Sequence, residues 1–172
     1  GADVGWLPVS MGVRSDEGYD VRALPVPSAG LSVGNTVFYD GTFSGVAERY
    51  SVGTGNVKHD VVLESLDALP AGCGEDTLSI AYELSLSDGF GLFADGEPVV
   101  SSPARLSAGP LLIKDSDGRP VMAIPPAMAA DSVDAAELFS AGGQVPADWV
   151  SPVMYGVAPG SGAGSYRVSL EV

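Results

Sequence analysis

Between Thr77 and Leu86 apolar and polar side chains alternate one by one. Leu78, Ile80, Tyr82, Leu84 and Leu86 fall on one parity, and Ser79, Ala81, Glu83 and Ser85 on the other. Successive side chains of a strand point to opposite faces, so this run gathers its apolar groups only as a pleated ribbon; a helix would scatter them around its axis. Ten residues at about 3.3 Å each make a strand of about 33 Å. Ser165 to Val172 repeats the pattern, with Tyr166, Val168, Leu170 and Val172 against Ser165, Arg167, Ser169 and Glu171.

A hairpin is written between Gly45 and Glu64. Its arms are Val46 to Val52 and Val57 to Glu64, and Gly53-Thr54-Gly55-Asn56 supplies the turn formers. On the second arm Val57, His59, Val61 and Leu63 share one face, and Lys58, Asp60 and Glu64 the other. Leu111 to Lys114 and Arg119 to Ile124 form a second hairpin through Asp115-Ser116-Asp117-Gly118. Shorter strands are expected at Tyr19 to Val26, Leu31 to Tyr39, Phe90 to Phe93 and Val99-Val100. Gly1 to Ser10, with Pro8, reads as an extended segment or edge strand, because proline cannot donate to a ladder. With 23 Gly and 13 Pro, little room is left for long helices. The one helix expected is short, Asp131 to Phe139, with Asp131 as its N-cap.

These patterns predict an all-β chain, an antiparallel β-sandwich of many short strands. Residues 1–164 form the sandwich domain, as one body or two subdomains. Residues 156–164 read as a Gly-rich linker. Residues 165–172 are then a C-terminal strand, packed in its own chain or donated to a neighbour's sheet. Tyr166, Val168, Leu170 and Val172 are its assembly face.

From Val37 to Asp131 the chain resembles a β-rich module of large secreted bacterial surface proteins, as in the non-toxin regions of YD-repeat (Rhs-type) proteins. The resemblance rests on Val37-Phe38-Tyr39-Asp40-Gly41-Thr42-Phe43-Ser44-Gly45, Arg49-Tyr50, Asn56-Val57-Lys58-His59-Asp60-Val61-Val62-Leu63, the Asp117-Gly118 turn, Ile124-Pro125-Pro126-Ala127 and Asp131. It implies an extracellular scaffold without known catalysis.

The formal net charge of −14, from 22 acidic and 8 basic residues, argues against nucleic acid and anionic membrane as partners. No stretch approaches 18 apolar residues, so no transmembrane helix is expected. The start at Gly1-Ala2-Asp3 fits a secreted protein whose signal has been removed, or an excised fragment. Cys73 is alone and excludes an internal disulfide.

The chemical candidates are few. Gly30-Leu31-Ser32-Val33-Gly34 matches a nucleophile-elbow pattern, but strand-like sequence follows it, and His59, the sole histidine, would have to be its base. A Cys73–His59 pair has no supporting spacing, and His59 reads as structural. Asp115-Ser116-Asp117-Gly118 starts like a calcium loop, but Arg119-Pro120 excludes an EF-hand. A looser Ca²⁺ site would use Asp115, Asp117 and Asp131, and no other cofactor is expected. Trp6 and Trp149 are candidate sugar-binding aromatics. The expected function is that of a non-enzymatic extracellular structural protein, self-assembling with other copies of itself into a surface or filament structure. The alternative is a glycan- or protein-binding module of a larger adhesin.

Overall fold

The computed structural model describes residues 3–53, 56–71, 76–100, 104–130 and 150–172. The helix expected at Asp131–Phe139 lies outside them, as do Cys73, Asp131 and Trp149. The described chain is all-β and antiparallel, with one 3₁₀ turn, Leu66–Ala68. It divides into two compact units. Unit 1 holds Gly1–Leu7 and Ala81–Val172, and unit 2 holds Pro8–Ile80. Two strands belong to both, β1 (Val4–Ser15) and β7 (Thr77–Leu86).

Unit 1 is sandwich-like. One sheet runs β10 (Arg105–Ser107), β14 (Val150–Pro159), β15 (Ser165–Glu171), β7 and β1, with β13 (Ala127–Ala130) also on β14. The other runs β12 (Pro120–Ile124), β11 (Leu111–Asp115), β8 (Phe90–Ala94) and β9 (Glu97–Pro98). Leu84, Leu86, Tyr155, Val157 and Val168 from the first sheet join Leu92, Ala94, Leu111 and Ile113 from the second in one buried core. Removing such a side chain from water contributes about 1.5–3 kcal/mol.

Unit 2 contains the rest of β1, paired with β2 (Gly18–Ala23) from Met11↔Ala23 to Ser15↔Gly18. It also contains a meander of β3 (Leu31–Val33), β4 (Thr36–Phe43), β5 (Val46–Gly53) and β6 (Asn56–Leu63), in that spatial order. The β5–β6 register runs from Val46↔Leu63 to Gly53↔Asn56. Gly45 turns the chain from β4 into β5 at φ 72°. That conformation favours glycine, and a Cβ there would meet Ala68 at 2.7 Å.

The structure corrects several boundaries. Residues 156–164 are not a linker throughout, because Gly156 to Pro159 complete β14 and only the following turn, ending at Gly164, is loop. Gly156 looks like linker sequence but lies against Ser169 and Glu171, where a Cβ would stand 2.9 Å from Glu171 Oε1. β1 is a twelve-residue strand that runs on past Ser10 to Ser15; only Met11–Ser15 lies between β7 and β2, and the stretch that holds Pro8 is an edge, as expected, among the described residues. β2 pairs with Met11–Ser15 and does not reach Pro8. Both alternating runs are also buried more deeply than a half-solvated strand: Ser79 and Ala81 on β7 are as buried as Leu78 and Ile80.

Candidate functional site

The chemically richest cluster lies on one face of the β4–β5–β6 sheet. Along β5 the residues Val46, Glu48, Tyr50 and Val52 share a parity, so Glu48 stands among apolar positions. Register places Tyr39 and Val61 on either side of Glu48, and Val37 and His59 on either side of Tyr50. Glu48 is 2% exposed. A carboxylate this deep must be met by donors. Tyr50 donates its hydroxyl to Glu48 Oε2 at 2.8 Å. His59 Nε2 stands 3.5 Å from the same oxygen. The His59 ring stacks on Tyr50 at 4.4 Å between centroids and 8° between planes. Tyr39 meets Tyr50 edge-on at 5.9 Å. Burial, then the Glu48 charge and its hydrogen bond, push the Tyr50 hydroxyl well above the usual tyrosine value.

The opposite face carries an ion cluster. Arg49 bonds Asp60 through Nη2 at 2.8 Å and Nε at 2.9 Å. Lys58 reaches the other oxygen of Asp60 at 3.0 Å. The two faces together fix the β5–β6 register, since a one-residue slip would carry Glu48 out of its cage and the ion cluster into it. Chemically this is a clamp: the hydroxyl and imidazole are turned onto a buried acid.

Ser32 does not join His59. Ser32, Val37, Tyr50 and His59 follow one another across the four strands. Three strand spacings put Ser32 about 14 Å from His59. Gly30 to Gly34 is β3 and its turn, followed by strand β4, so the elbow geometry is not formed.

Asp115 and Asp117 serve the β11–β12 turn. Asp115 Oδ1 accepts the backbone N–H groups of Asp117 at 3.0 Å and Arg119 at 2.9 Å. Asp117 pairs with Arg119 at 3.3 Å. Among the described residues, no three His, Cys, Asp or Glu side chains converge to hold a metal.

Trp6 is half-buried, stacks on Tyr82 at 5.0 Å and packs against the unit 1 core. The terminal strand β15 lies between β14 and β7. Val168 is fully buried, Tyr166 and Leu170 pack on the core, and Val172 is exposed just beyond the strand. Its polar parity is engaged as well. Ser165 donates to Glu83 at 2.9 Å, and Ser169 donates to Glu171, both of the latter pair being buried. In this structure β15 therefore fills an interior place in the sheet of its own chain.

Sequence reasoning missed Glu48. The available signal was an acid breaking the apolar parity of β5 two residues before a tyrosine. No family model, curated protein or solved structure matches the chain. The class of protein therefore rests on its own architecture: an all-β, antiparallel fold whose most elaborate polar cluster is a register clamp.

Proposed function

We propose that the chain is a non-enzymatic extracellular structural protein, a self-assembling subunit of a surface layer or filament. The observation that carries this reading is that most of the exposed large apolar side chains on the described strands fall on edge strands, Leu7 on β1 and Val52 on β5 being the exceptions. Val21 on β2, Leu31 and Val33 on β3, Val57 and Val62 on β6, Leu106 on β10, Val121 and Met122 on β12, and Met128 on β13 are all exposed. Each of those strands is paired on one side only among the described residues. Edge strands of proteins that stay apart are usually blunted by charge, and apolar edges are templates for pairing. The resemblance of residues 37–131 to modules of secreted surface proteins supports an extracellular setting. The binding-module alternative has less support, because Trp6 is engaged with Tyr82 and the core.

Sedimentation velocity from micromolar to millimolar concentration, with electron microscopy of the concentrated sample, tests the reading. Concentration-dependent assembly is expected. A monomer throughout that range refutes it.

A further inference from the structure

The edges are not equal. Among the described residues β3 and β10 are three residues long, β9 two, β13 four, β12 five and β2 six. β12 opens with Pro120, and β9 ends with Pro98. β6 is eight residues long, contains no proline and bonds only to β5. We propose that β6 is the assembly edge, pairing antiparallel with β6 of a second copy in a register centred on His59. This rests on the self-assembly reading and gives it one contact, a two-fold pairing of copies; a layer or filament takes a second contact at another edge.

The backbone fixes which groups β6 offers. Val52 donates its N–H to Asn35 rather than toward β6, and Glu64 donates to Gly45. In an antiparallel ladder N–H and C=O of one residue point the same way and alternate along the strand. With the register Val52↔Val57 to Val46↔Leu63, Lys58, Asp60 and Val62 bond inward to β5. Val57, His59, Val61 and Leu63 direct their backbone groups outward. A second β6 must set these outward residues opposite one another, so only alternate registers are open.

Charge selects among them. Centring on Lys58 or on Asp60 sets each of those charges against itself, and like charges directly opposite are unfavourable. Centring on Val61 sets Lys58 against Glu64, just past the strand, but leaves Asp60 facing the apolar Val62. Centring on His59 places Lys58 opposite Asp60 of the second copy, twice, and Val57 opposite Val61, twice. Every charged residue of the strand then faces its complement under one two-fold axis, as a self-complementary contact requires. Lys58 and Asp60 fall at the closer, non-hydrogen-bonded positions of the new ladder, where side chains interact most. Lys58 is 44% exposed and Asp60 22%, so both heads remain at the surface.

The test is charge reversal followed by mixing. Lys58→Asp sets two acids against each other at both positions, and Asp60→Lys does the same with two bases. Each variant alone is expected to raise the self-association Kd by tenfold or more. An equimolar mixture of the two, each shown to be folded by circular dichroism, is expected to associate within about threefold of the native Kd, because every pair is again opposite in sign. Asp60→Lys also removes the Arg49 partner. A measurement on the native chain therefore stands beside it: amide exchange by nuclear magnetic resonance. Association is expected to slow exchange at Val57, His59 and Val61 while leaving Lys58 and Asp60 as they are in the monomer. The site is overturned if either variant alone associates like the native chain, if the folded variants stay monomeric when mixed, or if the outward amides exchange in the assembly as in the monomer. A native chain that never associates overturns the self-assembly reading itself, and the site with it.

Discussion

Replacing Tyr50 by Phe isolates one hydroxyl. The ring stays, and with it the stack on His59 at 4.4 Å and the edge contact with Tyr39 at 5.9 Å. What is lost is the 2.8 Å hydrogen bond to Glu48, an acid 2% exposed that water cannot readily serve instead. Hydrogen bonds to charged groups contribute about 1.5–3 kcal/mol, so a loss of about 2 kcal/mol is expected. For a unit of this size that lowers the melting temperature by roughly 8–16 °C. Urea melts and thermal melts followed by circular dichroism measure it, and a double-mutant cycle with Glu48→Gln separates the pair from its surroundings. The pH dependence supplies an independent check. The Tyr50 hydroxyl holds its proton more tightly in the folded chain than in the unfolded one. The unfolded chain therefore gives up that proton first, near pH 10, and stability falls as pH rises past that point. Tyr50→Phe is expected to lose this part of the alkaline decline. A loss under about 0.5 kcal/mol, together with an unchanged alkaline limb, would refute the clamp.

Two further outcomes follow from unit 1. Deleting Ser165 to Val172 removes fully buried Val168 and the six register pairs between β14 and β15. At about 1 kcal/mol per net hydrogen bond and about 2 for the valine, the loss approaches a whole domain's stability. The truncated chain is expected to aggregate or give a disordered spectrum for unit 1, and a soluble, cooperatively melting product would contradict the interior placement of β15. Gly156→Ala drives a methyl group into the Ser169–Glu171 pair and is expected to cost about 1–3 kcal/mol, read as a lowered urea midpoint; an unchanged midpoint would show that the pair can shift aside.

Strands were legible where parity was clean. Thr77 to Leu86 is β7 as expected, and the hairpins at 46–63 and 111–124 lie where alternation and turn residues place them. Composition misled at Gly156 to Pro159. Glycine there serves close approach to two buried polar groups, and nothing within four residues of sequence announces neighbours thirteen and fifteen positions away. Pro8 was a sound guide, since β2 stops at Met11 and leaves the proline on a stretch of β1 paired on one side only among the described residues. Alternation showed which residues share a face but not whether the polar face is covered. Ser79, Ser169 and Glu171 are buried by strands whose arrival the local sequence cannot declare. The acid clamp stayed hidden because its members come from two strands, and only Glu48 and Tyr50 are near in sequence.

The division of the chain has a consequence for its birth on the ribosome. Unit 2 is one continuous stretch, Pro8 to Ile80, set as an insertion between the pieces of unit 1. Synthesis at about 5–20 residues per second delivers it whole some seconds before the last strand of unit 1 exists. That last strand, β15, belongs in the interior of its sheet. A nascent chain therefore carries a finished insert while the sheet of unit 1 lacks its middle strand, and the hydrogen-bonding edges of β7 and β14 stay unpaired until β15 emerges. Stalling of synthesis before Ser165 would hold the chain with two bare strand edges, the form most ready to pair with another chain.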